Sequence, residues 1–370
     1  MNSSGRTEIR DALRTSIKGV GGVEIDMNDR FIRACRRQPV DATPIWFMRQ
    51  AGRFLPEYRK IRDKHDVIAI CKNPDLCAEV TSMPVEALGV DAAIMFADIM
   101  LPLEGMGIKF EIKEGVGPII KDPILNLKSA TSLEILNPEH EVGFVLDAIK
   151  TTKKLLASKV PLIGFCGAPF TLASYMIEGH PTRDFIKVKT MMYRDPTTWR
   201  LLMGKLAESM SNYLQAQIRA GVDAVQLFDS WVGYLNQEDY REYVLPYSRK
   251  IMGDLEKTGV PRIHFGTDTS HLLELMKEAG GDVFGVDWRI PIDNAWERLG
   301  PDVGIQGNLD PSVLLGDLDL VESRASDILA RVSGRRGHIF NLGHGMLPDA
   351  STENTTRLVG FVHERTSESE

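Results

Sequence analysis

Cysteine is scarce in this sequence. Cys35, Cys71, Cys77 and Cys166 are the four in 370 residues, and none belongs to a CxxC pair. That excludes a dense disulfide framework and offers no cysteine cluster for zinc. A reducing, cytoplasmic compartment is therefore the expectation. No apolar run approaches the ~20 residues of a membrane-spanning helix, and the N-terminus has no apolar segment that reads as a secretory signal. Positive charge is not in excess either: the net charge is −7, which argues against a general nucleic-acid binder. A phosphate-cradling GxxxxGK(S/T) motif is absent, and no GxGxxG follows the first strand-like segment.

What the chain does have is the composition of an ordinary globular protein, with 43% hydrophobic and 26% charged residues. Its length suffices for one large barrel or two common domains. Residues 1–24 and 364–370 are polar and read as flexible tails around a single domain at 25–363. Within that domain, short apolar runs ending in polar or glycine-bearing loops recur at 43–52, 90–100, 160–169, 222–230, 260–268, 282–288, 303–311 and 338–345. Segments with helical spacing lie between them. The clearest opens on Asp195, carries apolar residues three and four apart and closes on Gly221. Continuous apolar strands alternating with helices imply a parallel sheet covered by helices. Eight such units predict an α/β fold, a single (β/α)8 TIM-type barrel. Alternation at 107–120 predicts a small β-hairpin inserted after strand 2.

In such a barrel the chemistry sits on loops at the C-terminal ends of strands. Those positions hold Arg49, Arg53, Asp98, Gly167, Ser230, Asp268, Asp287, Asn308 and His344. The stretch FMRQAGRFLPEYRKIR at 47–62 gathers four arginines and a lysine into an acidic chain. Guanidinium forks bind carboxylate or phosphate at two points, so an anionic substrate is expected. If the segment is helical, Arg49 and Arg53 share a face. Arg59, Lys60 and Arg62 fit a salt-bridged surface helix equally well. Asp98 follows the apolar AAIMFA and needs donors or a cation beside it; an ion pair with an arginine and a cation-stabilising role are both open. Tyr175 has a bland use as a buried tyrosine bonded to a carbonyl. Ser230 can cap the next helix or bind a carboxylate. His344 lies between two glycines that allow close approach of a ligand, which points to function. His264 and His271 read as structural.

At this point the residues fall into a known pattern. PIWFMRQAGRFLPEYR and GFCGAPFTLASYMIEG resemble the two signature stretches of the uroporphyrinogen decarboxylase family. The likeness continues through FADIM, LFDSW, IQGNLDP and NLGHGMLPD, from Phe31 to Phe361. It implies a homodimeric, single-domain (β/α)8 enzyme that works without metal or organic cofactor. Its reaction would remove carbon dioxide from the four acetate side chains of uroporphyrinogen III, giving coproporphyrinogen III on the route to haem and chlorophyll. No nucleic acid or membrane would be a partner. An octacarboxylate substrate agrees with an arginine-lined mouth on an acidic protein, because the local field in the cleft matters more than net charge.

Carried over, the arginine pair of RQAGR falls on Arg49 and Arg53, and the pyrrole-binding aspartate on Asp98. The tyrosine of the second signature is Tyr175, the serine of the fourth-strand loop is Ser230, and the glycine-flanked histidine is His344. Gln50 and Arg62 match further cleft-lining positions. Tyr58 stands where many members have phenylalanine, a mild change because both present an aromatic face. The resemblance thus makes Asp98, Arg49, Arg53 and Tyr175 catalytic, and adds Gln50, Arg62, Ser230 and His344 as substrate-binding. The proton donor stays open between Arg49, whose class has a pKa above about 12 and is a poor acid, Tyr175, and a carboxyl group of the substrate. Competing readings are a zinc-dependent methyltransferase of the same superfamily acting on corrinoid-bound or thiol substrates, a non-catalytic porphyrin-binding barrel, and a barrel enzyme for phosphorylated sugars. The first would want a cysteine where Gly266 follows His264.

Overall fold

The structure is a computed structural model that describes residues 28–113, 115–182 and 184–367; the expected tail at 1–24 lies outside them. In chain order the strands are β1 (Ala93–Ile94), β2 (Phe110–Lys113), β3 (Gly117–Ile120), β4 (Leu162–Gly167), β5 (Ala224–Asp229), β6 (Arg262–Gly266), β7 (Val283–Gly285), β8 (Gly304–Gln306) and β9 (His338–Ile339). Seven of them form one parallel sheet in the order β1-β4-β5-β6-β7-β8-β9. Apart from β2 and β3 they run in sequence across it, each joined to the next through helical segments, as parallel pairing requires. β2 and β3 form a separate antiparallel ribbon, with Phe110 opposite Ile120 and Lys113 opposite Gly117.

Seven strands stand where the recurrence predicted eight. Pro44 has no N–H to give to a ladder, and Arg49 turns the chain at φ 60°. What remains of the first segment is a single parallel bridge between Ile45 and Phe340. On the other side of that bridge, the Asp91 amide donates to the Ile45 carbonyl at 2.8 Å.

β4 and β5 are buried almost throughout, because helices cover one face of the sheet and side chains fill the other. The longest helix, Pro196–Ala220, starts where Asp195 accepts from the Thr198 amide and ends where Gly221 takes φ 117°. Its buried Trp199, Leu202, Leu206, Met210 and Tyr213 recur three and four apart. Inside the sheet, the Trp46 indole donates to Gln306 at 3.1 Å, and Gln306 donates to Gln226 at 3.0 Å. This polar thread ties the first segment to β8 and β5. No described helix is long and apolar enough to cross a membrane.

The last helix, Thr352–Thr366, runs into the segment 364–370 that was expected to be a tail. Its end is docked rather than loose: the Thr366 hydroxyl accepts from the Thr43 amide at 2.8 Å and donates to the Val362 carbonyl at 2.7 Å.

Asp91 fastens the N-terminal rim of the sheet. One of its oxygens accepts from Asn28 at 2.7 Å and Arg30 at 3.0 Å; the other meets the Ile45 amide at 2.8 Å and His363 at 2.7 Å. The side chain is 1% exposed. Replacing Asp91 by alanine strands the buried Ile45 amide and leaves Arg30 with Asp41 as its carboxylate partner, so a loss of about 2–3 kcal/mol is expected. Chemical denaturation checks this; a loss under about 1 kcal/mol would show that the rim is held by other contacts.

Candidate active site

Arg49 sits in the left-handed region at φ 60°, where a side chain costs energy unless its surroundings hold it. The neighbouring Gln50 supplies the hold. Its buried amide accepts from the Phe47 N–H at 3.1 Å and donates to the Ala92 carbonyl at 3.0 Å, clasping the first segment to the chain that enters β1. The Arg49 stem then lies over Gly345. A methyl group on that glycine would come within 2.5 Å of Arg49 Cδ and 2.9 Å of Cγ.

Asp98 follows β1 on a stretch pinned by the Phe96 amide donating to Thr81 at 2.9 Å and by Cys77 Sγ donating to the Phe96 carbonyl at 3.0 Å. The Met100 amide donates to one Asp98 oxygen at 2.8 Å. Burial raises the pKa of this carboxyl above the usual range, with the Met100 amide and the Arg49 charge opposing the rise.

Tyr175 comes from helix Pro169–Glu178, which starts on a proline directly after β4. Burial raises its hydroxyl, with Trp231 and Arg49 pulling the other way and Asp98 adding to the rise. The phenol is therefore protonated at neutral pH. The rings of Tyr175 and Trp231 meet edge to face, with centroids 6.1 Å apart.

His344 is pushed down to about 4, chiefly by burial and then by the Arg49 charge, with Asp287 opposing and Arg289 assisting. Its Nδ1 accepts from the Gly345 amide at 2.7 Å. A neutral ring with Nδ1 accepting carries its proton on Nε2, so it is a donor without a charge. Arg49 thus acts on Asp98, Tyr175 and His344 alike, which brings four of the expected residues to one place.

The other expected residues stand differently. Arg49 and Arg53 do not share a helix face: turns occupy the stretch between them, and the helix starts only at Pro56. Arg53 is exposed and acts on Tyr58. Gln50 is 1% exposed with both ends of its amide used by backbone, so it supports the site from beneath instead of lining it. Arg62 donates to the His65 carbonyl at 2.6 Å and Arg59 to the Arg53 carbonyl at 2.9 Å. Both lie on the short surface helix Pro56–Arg62, and the bonds they make are to backbone carbonyls. Ser230 is half-buried, and the short helix after it, Val232–Tyr234, has no side-chain cap. His264 is buried with Nδ1 at 3.3 Å from the Gly280 carbonyl, and His271 bonds the Leu235 carbonyl at 2.6 Å.

Two features escaped the sequence reading. Asp229, in LFDSW, is fully buried; one oxygen accepts from the Thr171 hydroxyl at 2.7 Å, and that hydroxyl accepts from the Trp231 amide at 3.2 Å. Burial pushes its carboxyl up to about 7. Through Thr171 it locks the Tyr175 helix to the Ser230 turn. Only the aspartate's place at a strand end could have signalled this. The second feature is Arg289 in VDWR. It donates to the buried Asp287 at 2.5 Å and lies 4.3 Å above the Trp288 ring.

Among the described residues, no group of three or more His, Cys, Asp or Glu side chains is placed to hold a metal ion. The model of the uroporphyrinogen decarboxylase family (URO-D) matches residues 26–365. Uroporphyrinogen decarboxylase of Sorangium cellulosum is 52% identical over 337 residues, covering 91% of this chain and 96% of its own. That of Carboxydothermus hydrogenoformans is 51% identical over 341 residues, covering 92% and 97%. Among solved structures, a methyltransferase from Methanosarcina mazei superposes with a TM-score of 0.77 at 19% identity, covering 92% of this chain and 99% of that one. That likeness concerns the fold.

Proposed function

The chain belongs to the uroporphyrinogen decarboxylase family and is a decarboxylase of tetrapyrrole biosynthesis; from that premise we propose that it converts the four acetates of uroporphyrinogen III to methyl groups. The product is coproporphyrinogen III with four molecules of carbon dioxide. The observation that supports this reading is that the Arg49 charge bears on Asp98, Tyr175 and His344 at once, with its stem lying over Gly345 beside His344. In this reading the Ile45 segment completes an eight-membered barrel, supported by its bonds to Phe340 and Asp91 on either side. The enzyme works in the cytoplasm as a homodimer, as its likeness to the family implies.

An acetate on an electron-rich pyrrole releases carbon dioxide once the adjacent ring carbon, the one next to the nitrogen, takes a proton and leaves iminium-type positive charge on the carbon that bears the acetate. The bond to the carboxylate then breaks, and its electron pair neutralises the iminium-like cation as an exocyclic double bond. Protonation of that methylene and loss of the ring proton restore the pyrrole, so each round consumes one proton net. Asp98 supplies the charge that the cation requires. Its carboxylate accepts from pyrrole N–H groups in the middle of the macrocycle, where a fixed negative charge in a partly dry site is worth most. Arg49 and Arg53 take substrate carboxylates as charge-assisted forks. His344 and Ser230 add neutral donors, and Tyr175 brings a protonated hydroxyl beside Asp98. Gln50 keeps Arg49 in its strained conformation, Arg59 ties down the loop that carries Arg53 by donating to the Arg53 carbonyl, and Arg62 lines the cleft as the family likeness implies.

The fold likeness to a methyltransferase keeps a zinc-dependent reading in view, and the local chemistry weighs against it. A Cβ at Gly266 would meet Thr269 at 2.6 Å, which leaves no room for a cysteine beside His264.

The test is anaerobic incubation with enzymatically made uroporphyrinogen III in chelator-containing buffer, followed by oxidation and separation by carboxylate number. Stepwise passage from eight carboxylates to four is expected. A folded protein that binds the macrocycle without converting it would overturn the reading in favour of a binding protein.

A further inference from the structure

The mouth holds one guanidinium that no motif marks. Arg289 follows β7, and β7 lies four places from β1 in the sheet order, so Arg289 stands across the sheet from Asp98. It is built in rather than trailing. Its own amide donates to Asp287 Oδ1 at 3.0 Å and its Nη1 to Asp287 Oδ2 at 2.5 Å. Asp287 is 2% exposed and also receives the Asp268 amide. Beneath the guanidinium the Trp288 ring lies at 4.3 Å, and Trp288 itself packs on Gly343 beside His344: a Cβ on that glycine would be 2.9 Å from Trp288 Cε3. Brace, ring and loop leave the side chain few rotamers, so little ordering remains to be done when a ligand arrives.

What is left over matters most. Nη1 is occupied by Asp287, whereas Nε has Asp268 at 3.9 Å, outside hydrogen-bond range. The guanidinium is 43% exposed. Its charge already reaches the rim group His344, which it helps to keep neutral. A guanidinium with one edge braced and the other edge, Nε and Nη2, open is the arrangement that takes a carboxylate by two parallel bonds.

We infer that Arg289 is a substrate-binding residue whose open Nε–Nη2 edge grips a peripheral carboxylate of the macrocycle other than the one being lost. This rests on the proposed decarboxylase reading. A macrocycle centred on Asp98 carries carboxylates outward on all sides, so some must meet the wall opposite Asp98, and Arg289 is the braced cation there. Exposed Asp268 competes weakly for the same edge and is displaced when the substrate arrives. Because the gripped group does not react, its contact is equal in the ground and transition states. Such uniform binding appears in KM and leaves kcat alone.

The experiment compares Arg289→Gln, Arg289→Lys and Asp268→Asn with the wild type under anaerobic conditions, with melting curves for each. Wild-type turnover of the octacarboxylate is the reference; if that is absent, the decarboxylase reading fails and Arg289 is not at issue. Given wild-type turnover, R289Q is expected to raise KM roughly tenfold, the equivalent of one charge-assisted contact, with kcat within about twofold. R289K restores part of the loss, since it keeps the charge and the pairing with Asp287 without the fork. D268N lowers KM by removing the competitor. An unchanged KM in folded R289Q and R289K, or a fall in kcat at constant KM, overturns the inference.

Discussion

Replacing Arg49 by methionine is expected to lower kcat/KM by ~10²–10³-fold while the protein stays folded. The side chain crosses Gly345 and its charge acts on Asp98, Tyr175 and His344, so its loss strips the mouth of the group that the others share. The same claim can be tested without touching the arginine. A methyl group at Gly345 would stand 2.5 Å from Arg49 Cδ, and the arginine must swing aside to admit it. Gly345→Ala should therefore cost on the order of 10²-fold in activity, since a displacement of about 1 Å in a positioned group has that effect. Steady-state kinetics with unchanged melting temperatures would establish both. Full activity in G345A would show that the observed path of Arg49 is not the productive one.

Replacing Asp98 by asparagine is expected to separate activity from stability. Turnover should fall by ~10²–10³-fold, because the amide keeps an acceptor for the Met100 N–H but offers no charge to a developing cation. The melting temperature should rise. Burial holds the folded-state pKa of Asp98 above its unfolded value, so the ionised carboxylate opposes folding at any pH above that raised value. As pH falls through it, the folded protein takes up the proton and the opposition fades, until it is gone below the unfolded-state value. The gain in melting temperature of D98N over the wild type should therefore be greatest at neutral and alkaline pH, and shrink on acidification. A variant less stable than the wild type at neutral pH would mean that Asp98 is a structural ion pair, the blander of its two readings.

Much of this architecture is legible in the chain itself. The apolar runs that became β4, β5 and β6 are buried on both faces and bounded by helices with plain caps, such as Asp195 and Gly221. Local pattern and tertiary environment agree there. The first segment misleads because its apolar residues are those of a strand while Pro44 and the left-handed Arg49 deny it a ladder. The 47–62 stretch has helical spacing, yet its helix waits for Pro56. Spacing alone cannot reveal that Gln50 spends its amide on backbone carbonyl and N–H groups. At the site, Arg49, Asp98 and His344 were visible as polar groups at strand ends, whereas Tyr175, inside helix Pro169–Glu178, came in only through the second signature stretch. Asp229 and Arg289 were not, because their importance lies in what they touch: Thr171 in one case, Asp287 and Trp288 in the other. Those partners are remote in sequence or look unremarkable beside it.

The most direct test of the central claim, that Asp98 stabilises a cation formed on the substrate, is a single-turnover measurement on D98N. Excess enzyme is mixed anaerobically with uroporphyrinogen III, and the loss of the first carboxylate is timed alongside the dissociation constant of the macrocycle. The account predicts that the rate constant falls by ~10²–10³-fold while binding weakens far less, since the charge matters most in the transition state. A first-carboxylate rate equal to that of the wild type would contradict it.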